Sequence, residues 1–222
     1  GQMKEQLLQK IQDRTAVVAV VGLGYVGLPL AVAFAERGFP VVGVDVDPRK
    51  IDALNRADSY VQDIPSARLA RVTVEGSRLK VEGSAPQPSN LQPADLQPGK
   101  LAATTDYAVL ACCDAAIICV PTPLNKTRDP DVRYLIAAGE STAQHIHPGM
   151  LVILESTTYP GTTEELLLPM LTSPAVLERL GVERFAVGQD FFLAFSPERI
   201  DPGRQDYMVE NTPKVVGGVT PA

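Results

Sequence analysis

The segment from Ala16 to Asp45 constrains the fold of this chain more than any other. It begins with a continuous run of apolar, mostly β-branched residues, Val17 to Val21, which is typical of a strand buried on both faces of a parallel sheet. The run leads directly into a glycine pattern, Gly22-x-Gly24-x-x-Gly27. A strand that enters such a pattern predicts a tight turn into a helix.

A helix and a second strand complete the segment. The helix is predicted to end near Gly38, and the apolar residues Val41 to Val44 predict a strand that Asp45 terminates. These parts suit a dinucleotide, because the glycines let the backbone approach a pyrophosphate and the helix N-terminus offers unpaired N–H groups. Asp45 can accept a hydrogen bond from a ribose 2′-hydroxyl and would repel a 2′-phosphate, so NAD is favoured over NADP. The alternative is a glycine-rich turn in an ordinary α/β sheet.

Strands and helices continue to alternate along the chain. This predicts an α/β fold with a Rossmann-type, doubly wound and mostly parallel sheet, in which residues 1–222 form one NAD-binding domain. Structure resumes at Leu101–Ala103, and further strands are expected at Ala115–Val120, Leu151–Leu154, Phe191–Phe195 and Lys214–Gly217. Helices are expected at Met3–Gln12, after Asp47, after Thr104–Asp106, from Asp131 and from about Glu164.

Loops that carry hydroxyl groups, prolines or charges follow several of these strands. They include Val120–Pro123, Glu155–Thr163 and Ser196–Gly203. Because the carboxyl ends of parallel strands lie along one edge of an open sheet, these loops are expected to converge with the glycine turn and Asp45 on one crevice.

Residues 74–100 differ from the rest of the chain. Prolines are interleaved there with serine, glutamine and glycine, without helical or strand periodicity. The segment is predicted to form a long surface excursion that contributes little to the core. It could shield the domain or reach a partner, and the sequence leaves both open.

Composition excludes several classes of function. The formal net charge of −6 argues against a nucleic-acid or anionic-membrane surface. No apolar run approaches the ~20 residues that span a bilayer and no signal peptide is recognised, which predicts a cytoplasmic protein. The three cysteines, Cys112, Cys113 and Cys119, cluster around one predicted strand. They indicate buried thiols in a reducing compartment, and neither a disulfide framework nor a metal site.

With these motifs, the chain resembles the UDP-glucose/GDP-mannose dehydrogenase family over nearly its whole length. The matching segments are VVGLGYVGLPLAVAFAERGFPVVGVDVD, SYVQDIPS, ATTD, CVPTPLNK, LVILESTTYPGTTEE, FFLAFSPERIDPG and NTPKVVGG. ESTTYPGTT together with SPERIDPG is similar to the branch that acts on UDP-N-acetylglucosamine or its manno epimer, and we favour UDP-N-acetylglucosamine. The UDP-glucose branch has a further glutamate four residues beyond the position of Glu198, where this chain has Pro202.

The resemblance implies oxidation of the sugar C6 alcohol to a carboxylate by two hydride transfers to NAD, through a thiol-bound intermediate. Thr157 matches a threonine that, with water, handles protons at the sugar hydroxyl. Glu198 matches a glutamate that helps to hydrolyse the thioester, and Arg199 and Ile200 match substrate contacts. Positions that match cofactor contacts, with Gly27 added from the glycine pattern, are Gly22, Gly24, Tyr25, Val26, Gly27, Asp45, Thr122 and Thr163.

Several of these residues also have a purely structural interpretation. Glu198 and Thr157 could cap the local backbone, and Arg199 could form an ordinary surface ion pair. Arg49 and Lys50, in the first turn of the helix after Asp47, lie close to where the adenosine ribose is expected, and Arg49 is included among the candidate cofactor contacts. The default interpretation of both residues is a solvated surface charge.

The resemblance also defines what this chain is expected to lack. The family places its catalytic cysteine, an active-site lysine and the uridine-binding region in a C-terminal half, and none of the three cysteines here lies in a matching motif. We therefore expect the chain to bind NAD without completing the oxidation, and to be monomeric or weakly dimeric, whereas the full-length protein is expected to be a homodimer that binds a UDP-sugar. Two alternatives stay open: a non-catalytic NAD-responsive binding module, and another Rossmann-type hydroxyacid dehydrogenase, which would leave ESTTYPGTT and SPERIDPG unexplained.

Overall fold

A single sheet organises the computed structural model, which describes residues 1–74, 96–124, 131–156, 158, 161–197 and 214–221. Within these ranges its seven strands are β1 (Val18–Val21), β2 (Val41–Val44), β3 (Leu101–Thr104), β4 (Ala115–Ile118), β5 (Leu151–Leu154), β6 (Phe192–Phe195) and β7 (Gly217–Gly218). They lie in the order β3-β2-β1-β4-β5-β6-β7, with six parallel strands and β7 antiparallel to β6. The order reverses between β1 and β4, as in a doubly wound sheet, so the predicted Rossmann-type fold is confirmed.

Helices cover both faces of the sheet. In the described part of the chain they are α1 (Gln2–Gln12), α2 (Gly27–Glu36), α3 (Pro48–Asn55), α4 (Ser66–Val72), α5 (Arg133–Ala143), α6 (Leu168–Leu171) and α7 (Pro174–Leu180). A 3₁₀ helix, Tyr107–Cys112, follows β3, and its N-terminus is capped by Asp106 as the sequence predicts. None of the helices in the described ranges has the length and apolar character that a membrane crossing requires.

Two hydrophobic cores, one on each face of the sheet, explain why the strand sequences are continuous apolar runs. Val18 and Val20 pack with residues of α2, α3 and α4 on one face. Ala19 and Val21 pack with residues of α5, α6 and α7 on the other. All four residues of β1 are 4% exposed or less, because the strand has a packed layer on each side.

The region after β5 differs from the single helix predicted from about Glu164. It forms a π-helical turn, Thr163–Leu167, followed by α6 and then α7. Pro169 has no N–H to donate to the preceding turn, which disfavours a regular α-helix here. A second proline, Pro174, then begins α7 at its first position, and Gly181, with φ +68°, ends it.

Two helices, α1 and α4, also differ in part from expectation. α1 forms as predicted, but Leu7 is buried whereas Met3, Leu8 and Ile11 stay more than a third exposed. α4 is not predicted from the sequence, although its Leu69 and Val72 enter the core. Its short length provides too few apolar positions at helical spacing to give a clear periodic signal.

Most of the predicted surface excursion, residues 75–95, lies outside the described residues. Its last residues do not lie loosely on the surface as we expected, since Leu96 is buried in one of the cores. The Gly99 N–H donates to the Phe39 carbonyl at 3.1 Å, and the Lys100 ammonium donates to the Arg71 carbonyl at 3.0 Å. Residues 96–100 therefore belong to the packed domain and lead directly into β3.

Candidate cofactor site

The carboxyl ends of five strands place one residue each in a row along the same edge of the sheet. Each of these residues extends the hydrogen bonding of its strand by one position, because its backbone N–H donates to a carbonyl oxygen of the neighbouring strand at 2.7 to 3.2 Å. These residues are Gly22, Asp45, Cys119, Glu155 and Ser196. The row brings together the starts of the polar loops, as the sequence predicts for a parallel sheet.

The glycine turn follows β1 at the centre of this row. Gly22 has φ +92°, and a Cβ there would lie 2.9 Å from the Cys119 carbonyl oxygen. A Cβ on Gly27 would lie 1.7 Å from the Gly22 carbonyl oxygen, so the turn cannot accept a side chain at that position. Around Gly24, in contrast, no described heavy atom lies within 4 Å of a Cβ position. This open space at the start of α2 is where a phosphate can approach the backbone.

Asp45, at the end of β2, is 6% exposed and holds the glycine turn in place. Its Oδ2 accepts hydrogen bonds from the Leu23 N–H at 2.8 Å and from the Lys50 ammonium at 3.1 Å. Its Oδ1 accepts from the Asp47 N–H at 2.9 Å. Since an ionised carboxylate offers about four acceptor positions, these bonds leave capacity for a ribose hydroxyl.

Tyr60 supports the same turn, although sequence reasoning did not select it. Its hydroxyl donates to the Leu23 carbonyl at 2.7 Å. Burial, and then the nearby carboxylates of Asp45 and Asp47, raise the pKa of Tyr60, which keeps the hydroxyl protonated as a donor. The one signal available for Tyr60 in the sequence is its place in the family-like segment SYVQDIPS.

A cleft of about 490 Å³ brings most of the predicted cofactor residues together. The predicted residues in its wall are Gly22, Gly24, Tyr25, Val26, Asp45 and Thr122. An adjoining depression of about 270 Å³ shares Gly22, Asp45 and Lys50 with the cleft and reaches Tyr134 on α5. The two together cross the ends of β2, β1, β4 and β5, which is the path a dinucleotide takes across the switch point of such a sheet. The residues present therefore fit a dinucleotide.

Arg49 does not line this cleft, whereas its neighbour Lys50 does. The Arg49 guanidinium pairs with Asp47, with Nε 3.0 Å from Oδ1 and Nη2 2.8 Å from Oδ2. These contacts, and the Arg49 N–H that Asp47 accepts as N-cap of α3, lower the pKa of Asp47 to about 2. Consecutive helical residues point about 100° apart. Lys50 therefore reaches Asp45 while Arg49 faces solvent.

Thr163 lies in a different depression, of about 510 Å³, beside the β6–β7 edge. Thr158 lines it too, and within the described chain the buried hydroxyls of Thr158 and Ser196 have no hydrogen-bond partner. Buried hydroxyls that lack a protein partner are candidates for contact with a polar ligand. The predicted catalytic residues and substrate contacts lie outside the described residues: Thr157, Glu198, Arg199 and Ile200.

The cysteines occupy two kinds of environment and form no disulfide among the described residues. Cys113 is buried, and burial raises the pKa of its thiol, which agrees with the structural role predicted for it. Cys119 is 7% exposed but also lines the cleft beside Gly22. The interpretation of Cys119 as a core residue is thus incomplete, because it misses this position in the cleft wall.

Comparison with known proteins relates the chain to one family. The model of the UDP-glucose/GDP-mannose dehydrogenase family, NAD binding domain, matches residues 16–96 and 84–222. The chain is 39% identical over 204 residues to UDP-N-acetyl-D-glucosamine 6-dehydrogenase of Pseudomonas aeruginosa, covering 92% of this chain and 40% of that protein. It is 33% identical over 212 residues to UDP-N-acetyl-D-mannosamine dehydrogenase of Escherichia coli strain K12, covering 93% and 43%.

The solved structure of a related dehydrogenase also aligns with this chain. The crystal structure of NDP-N-acetyl-D-galactosaminuronic acid dehydrogenase from Methanosarcina mazei Go1 aligns with a TM-score of 0.72 and 29% identity, covering 98% of this chain and 41% of that one. The chain thus spans about 40% of the length of the curated relatives it matches. Because the matching family model is that of an NAD binding domain, the cofactor of this chain is NAD.

Proposed function

We propose that this chain, which belongs to the UDP-glucose/GDP-mannose dehydrogenase family, is the NAD-binding part of a nucleotide-sugar 6-dehydrogenase. In the proposed reaction, the C6 alcohol of UDP-N-acetylglucosamine or UDP-N-acetylmannosamine is oxidised to a carboxylate by two successive hydride transfers to NAD. The observation that carries the proposal is the position of Asp45, buried beside the glycine turn and in the wall of the cleft. A carboxylate at this position favours a ribose 2′-hydroxyl and repels a 2′-phosphate.

The residues of the cleft would orient NAD along the sheet edge. Asp45 and Lys50 would hold the adenosine ribose, and the open space at Gly24 would admit the pyrophosphate at the start of α2. The other half of the dinucleotide would then lie toward Thr122 and Glu155, on the β4–β5 side. Bound NAD supplies the hydride acceptor, and the chain supplies its position.

The choice of sugar is supported by the relatives. The proteins from Pseudomonas aeruginosa and Escherichia coli are named for UDP-N-acetyl-D-glucosamine and UDP-N-acetyl-D-mannosamine. We place the sugar near the depression that contains Thr158 and Thr163, since a buried hydroxyl there lacks a partner in the described chain. Catalytic roles for Thr157 and Glu198, and substrate contacts from Arg199 and Ile200, stay predictions.

We also propose that this chain does not complete the oxidation alone. A thiolate is the reactive form of cysteine, and Cys113 is held protonated by its burial. We place the catalytic cysteine and the uridine contacts in the part of the relatives that the chain does not span. A homodimeric full-length protein and a cytoplasmic location stay predictions as well.

Calorimetric titration with NAD and NADP, together with a turnover assay on UDP-N-acetylglucosamine, tests the proposal. We expect NAD to bind at least about tenfold more tightly than NADP, which corresponds to about 1.4 kcal/mol. Asp45→Ala should weaken NAD binding, whereas Asp58→Ala, at an exposed carboxylate outside the cleft, should not.

Three outcomes of this experiment have different meanings. NAD binding without turnover supports a cofactor-binding half of the enzyme. Failure to bind either dinucleotide would reject the proposal. Efficient turnover by the chain alone would place the catalytic thiol among Cys112, Cys113 and Cys119.

A further inference from the structure

Glu155 lines the cleft at the end away from Asp45, and its carboxylate forms an ion pair with Lys214. Glu155 directly follows β5 and is 5% exposed. Lys214 comes from a segment 59 residues further along the chain, and 24% of its side chain is exposed. Charges removed from water in this way act strongly on each other and on any charge placed beside them.

The position of Glu155 relative to the glycine turn identifies which part of a dinucleotide it faces. In the row at the sheet edge, Asp45 lies one strand to one side of Gly22, and Glu155 lies two strands to the other. At the usual strand spacing of ~4.8 Å, the backbones at the two acids are about 14 Å apart. Since Asp45 marks the adenosine ribose, the nicotinamide half lies on the side of Glu155, Thr122 and Ser156.

We propose that the Glu155–Lys214 pair sets the relative affinity of the cleft for the oxidised and the reduced cofactor, an inference that rests on the proposed function. The nicotinamide ring carries one positive charge in NAD⁺ and none in NADH. The Glu155 carboxylate therefore favours NAD⁺, and the Lys214 ammonium bound to it offsets this preference. Two successive hydride transfers require the site to release NADH and take up NAD⁺ between them, which a balanced pair permits.

Removal of the Lys214 charge and removal of the Glu155 charge should shift the ratio of the dissociation constants, Kd(NADH)/Kd(NAD⁺), in opposite directions. Lys214→Met leaves the carboxylate unbalanced and should raise the ratio about threefold or more. Glu155→Gln leaves the ammonium and should lower the ratio by a similar factor. The double substitution removes both charges and should return the ratio toward the wild-type value.

Matched controls separate this effect from a general loss of charge. Lys10→Met and Glu36→Gln remove the same charges from ion pairs outside the cleft, formed with Asp114 and Arg68. Both should leave the ratio unchanged. Lys214→Arg keeps the positive charge and should keep the ratio as well.

Calorimetry with NAD⁺ and NADH on each variant, with circular dichroism as a check of folding, decides the question. Opposite shifts that are recovered in the double variant support the proposal. A constant ratio, shifts in the same direction, or equal loss of both forms would reject it, because a purely structural pair affects both forms alike. If the wild-type chain binds neither form, the proposed function fails and this inference fails with it.

Discussion

The carboxylate of Asp45 accepts a hydrogen bond from the backbone N–H of Leu23, with Oδ2 2.8 Å from the nitrogen. This bond links the end of β2 to the glycine turn after β1, across 22 positions of sequence. The same carboxylate accepts the Asp47 N–H at the entry to α3. Asp45 therefore shapes the cleft that it also lines, and its substitution should affect both folding and cofactor binding.

Asp45→Asn should reduce both stability and NAD affinity. An amide has a single acceptor oxygen, and its NH₂ group would face backbone donors now bound by the carboxylate. We expect the free energy of unfolding to fall by about 1–3 kcal/mol. NAD affinity should fall about tenfold or more, or about 1.4 kcal/mol. Urea denaturation and calorimetry measure the two effects, with the exposed Asp58→Asn as control. Unchanged stability would show that the turn does not depend on Asp45.

Alanine at two glycines of the turn should separate folding from binding. Gly27→Ala places a methyl group 1.7 Å from the Gly22 carbonyl oxygen, so we expect a loss of about 2–4 kcal/mol in stability. Gly24→Ala meets no described heavy atom within 4 Å and should change stability by less than about 1 kcal/mol. It should nevertheless weaken NAD binding, because the methyl group occupies the approach of the pyrophosphate.

Thermal unfolding and NAD titration of both alanine variants provide this comparison. Normal folding of Gly27→Ala would contradict the close packing of α2 against the turn. Normal NAD affinity of Gly24→Ala would place the pyrophosphate elsewhere.

Tyr60→Phe removes the hydrogen bond from the Tyr60 hydroxyl to the Leu23 carbonyl. The free energy of unfolding should fall by about 0.5–1.5 kcal/mol, the usual net worth of such a bond. Because Leu23 belongs to the glycine turn, NAD affinity should fall several-fold as well. Equilibrium denaturation and calorimetry test this, and a change in stability without a change in affinity would limit Tyr60 to a role in folding.

The pH dependence of stability should reveal the contribution of Asp47, the N-cap residue of α3. The Arg49 contacts lower the pKa of Asp47 from 3.8 to about 2 in the folded chain. A lowered folded-state pKa stabilises the fold above pH 3.8, and this contribution is lost as the pH falls toward 2. Asp47→Asn retains an acceptor for the cap but does not titrate.

The difference in the free energy of unfolding between wild type and Asp47→Asn is therefore expected to shrink between pH 4 and pH 2. Denaturation curves across pH 2–6 measure it, and added salt should reduce it because the ion pair is exposed. A difference that does not vary with pH would contradict the assignment.

The segment from Ala16 to Asp45 shows what a sequence of this kind can predict. Burial on both faces requires the continuous apolar run of β1, and the tight turn requires glycine at positions 22 and 27. The apolar run and the spacing of the glycines each leave a mark within a few positions of sequence, so strand, turn, helix and strand could all be predicted. The same reasoning fails at α4 and at the π-helical turn, where short length and Pro169 obscure the periodicity.

The contacts of the side chains around the turn could not be predicted in the same way. Arg49 and Lys50 follow the same cap in the same helical turn, and the phase of α3 decides that Lys50 reaches Asp45. Tyr60 contacts Leu23 across 37 positions, and Lys214 contacts Glu155 across 59. The fold class and the NAD-binding motif could be predicted from local sequence, because short-range sterics and apolar periodicity specify the strand, the turn and the helix. The side chains that line the cleft could be identified only in the folded chain, because their positions depend on how separate elements dock on the sheet.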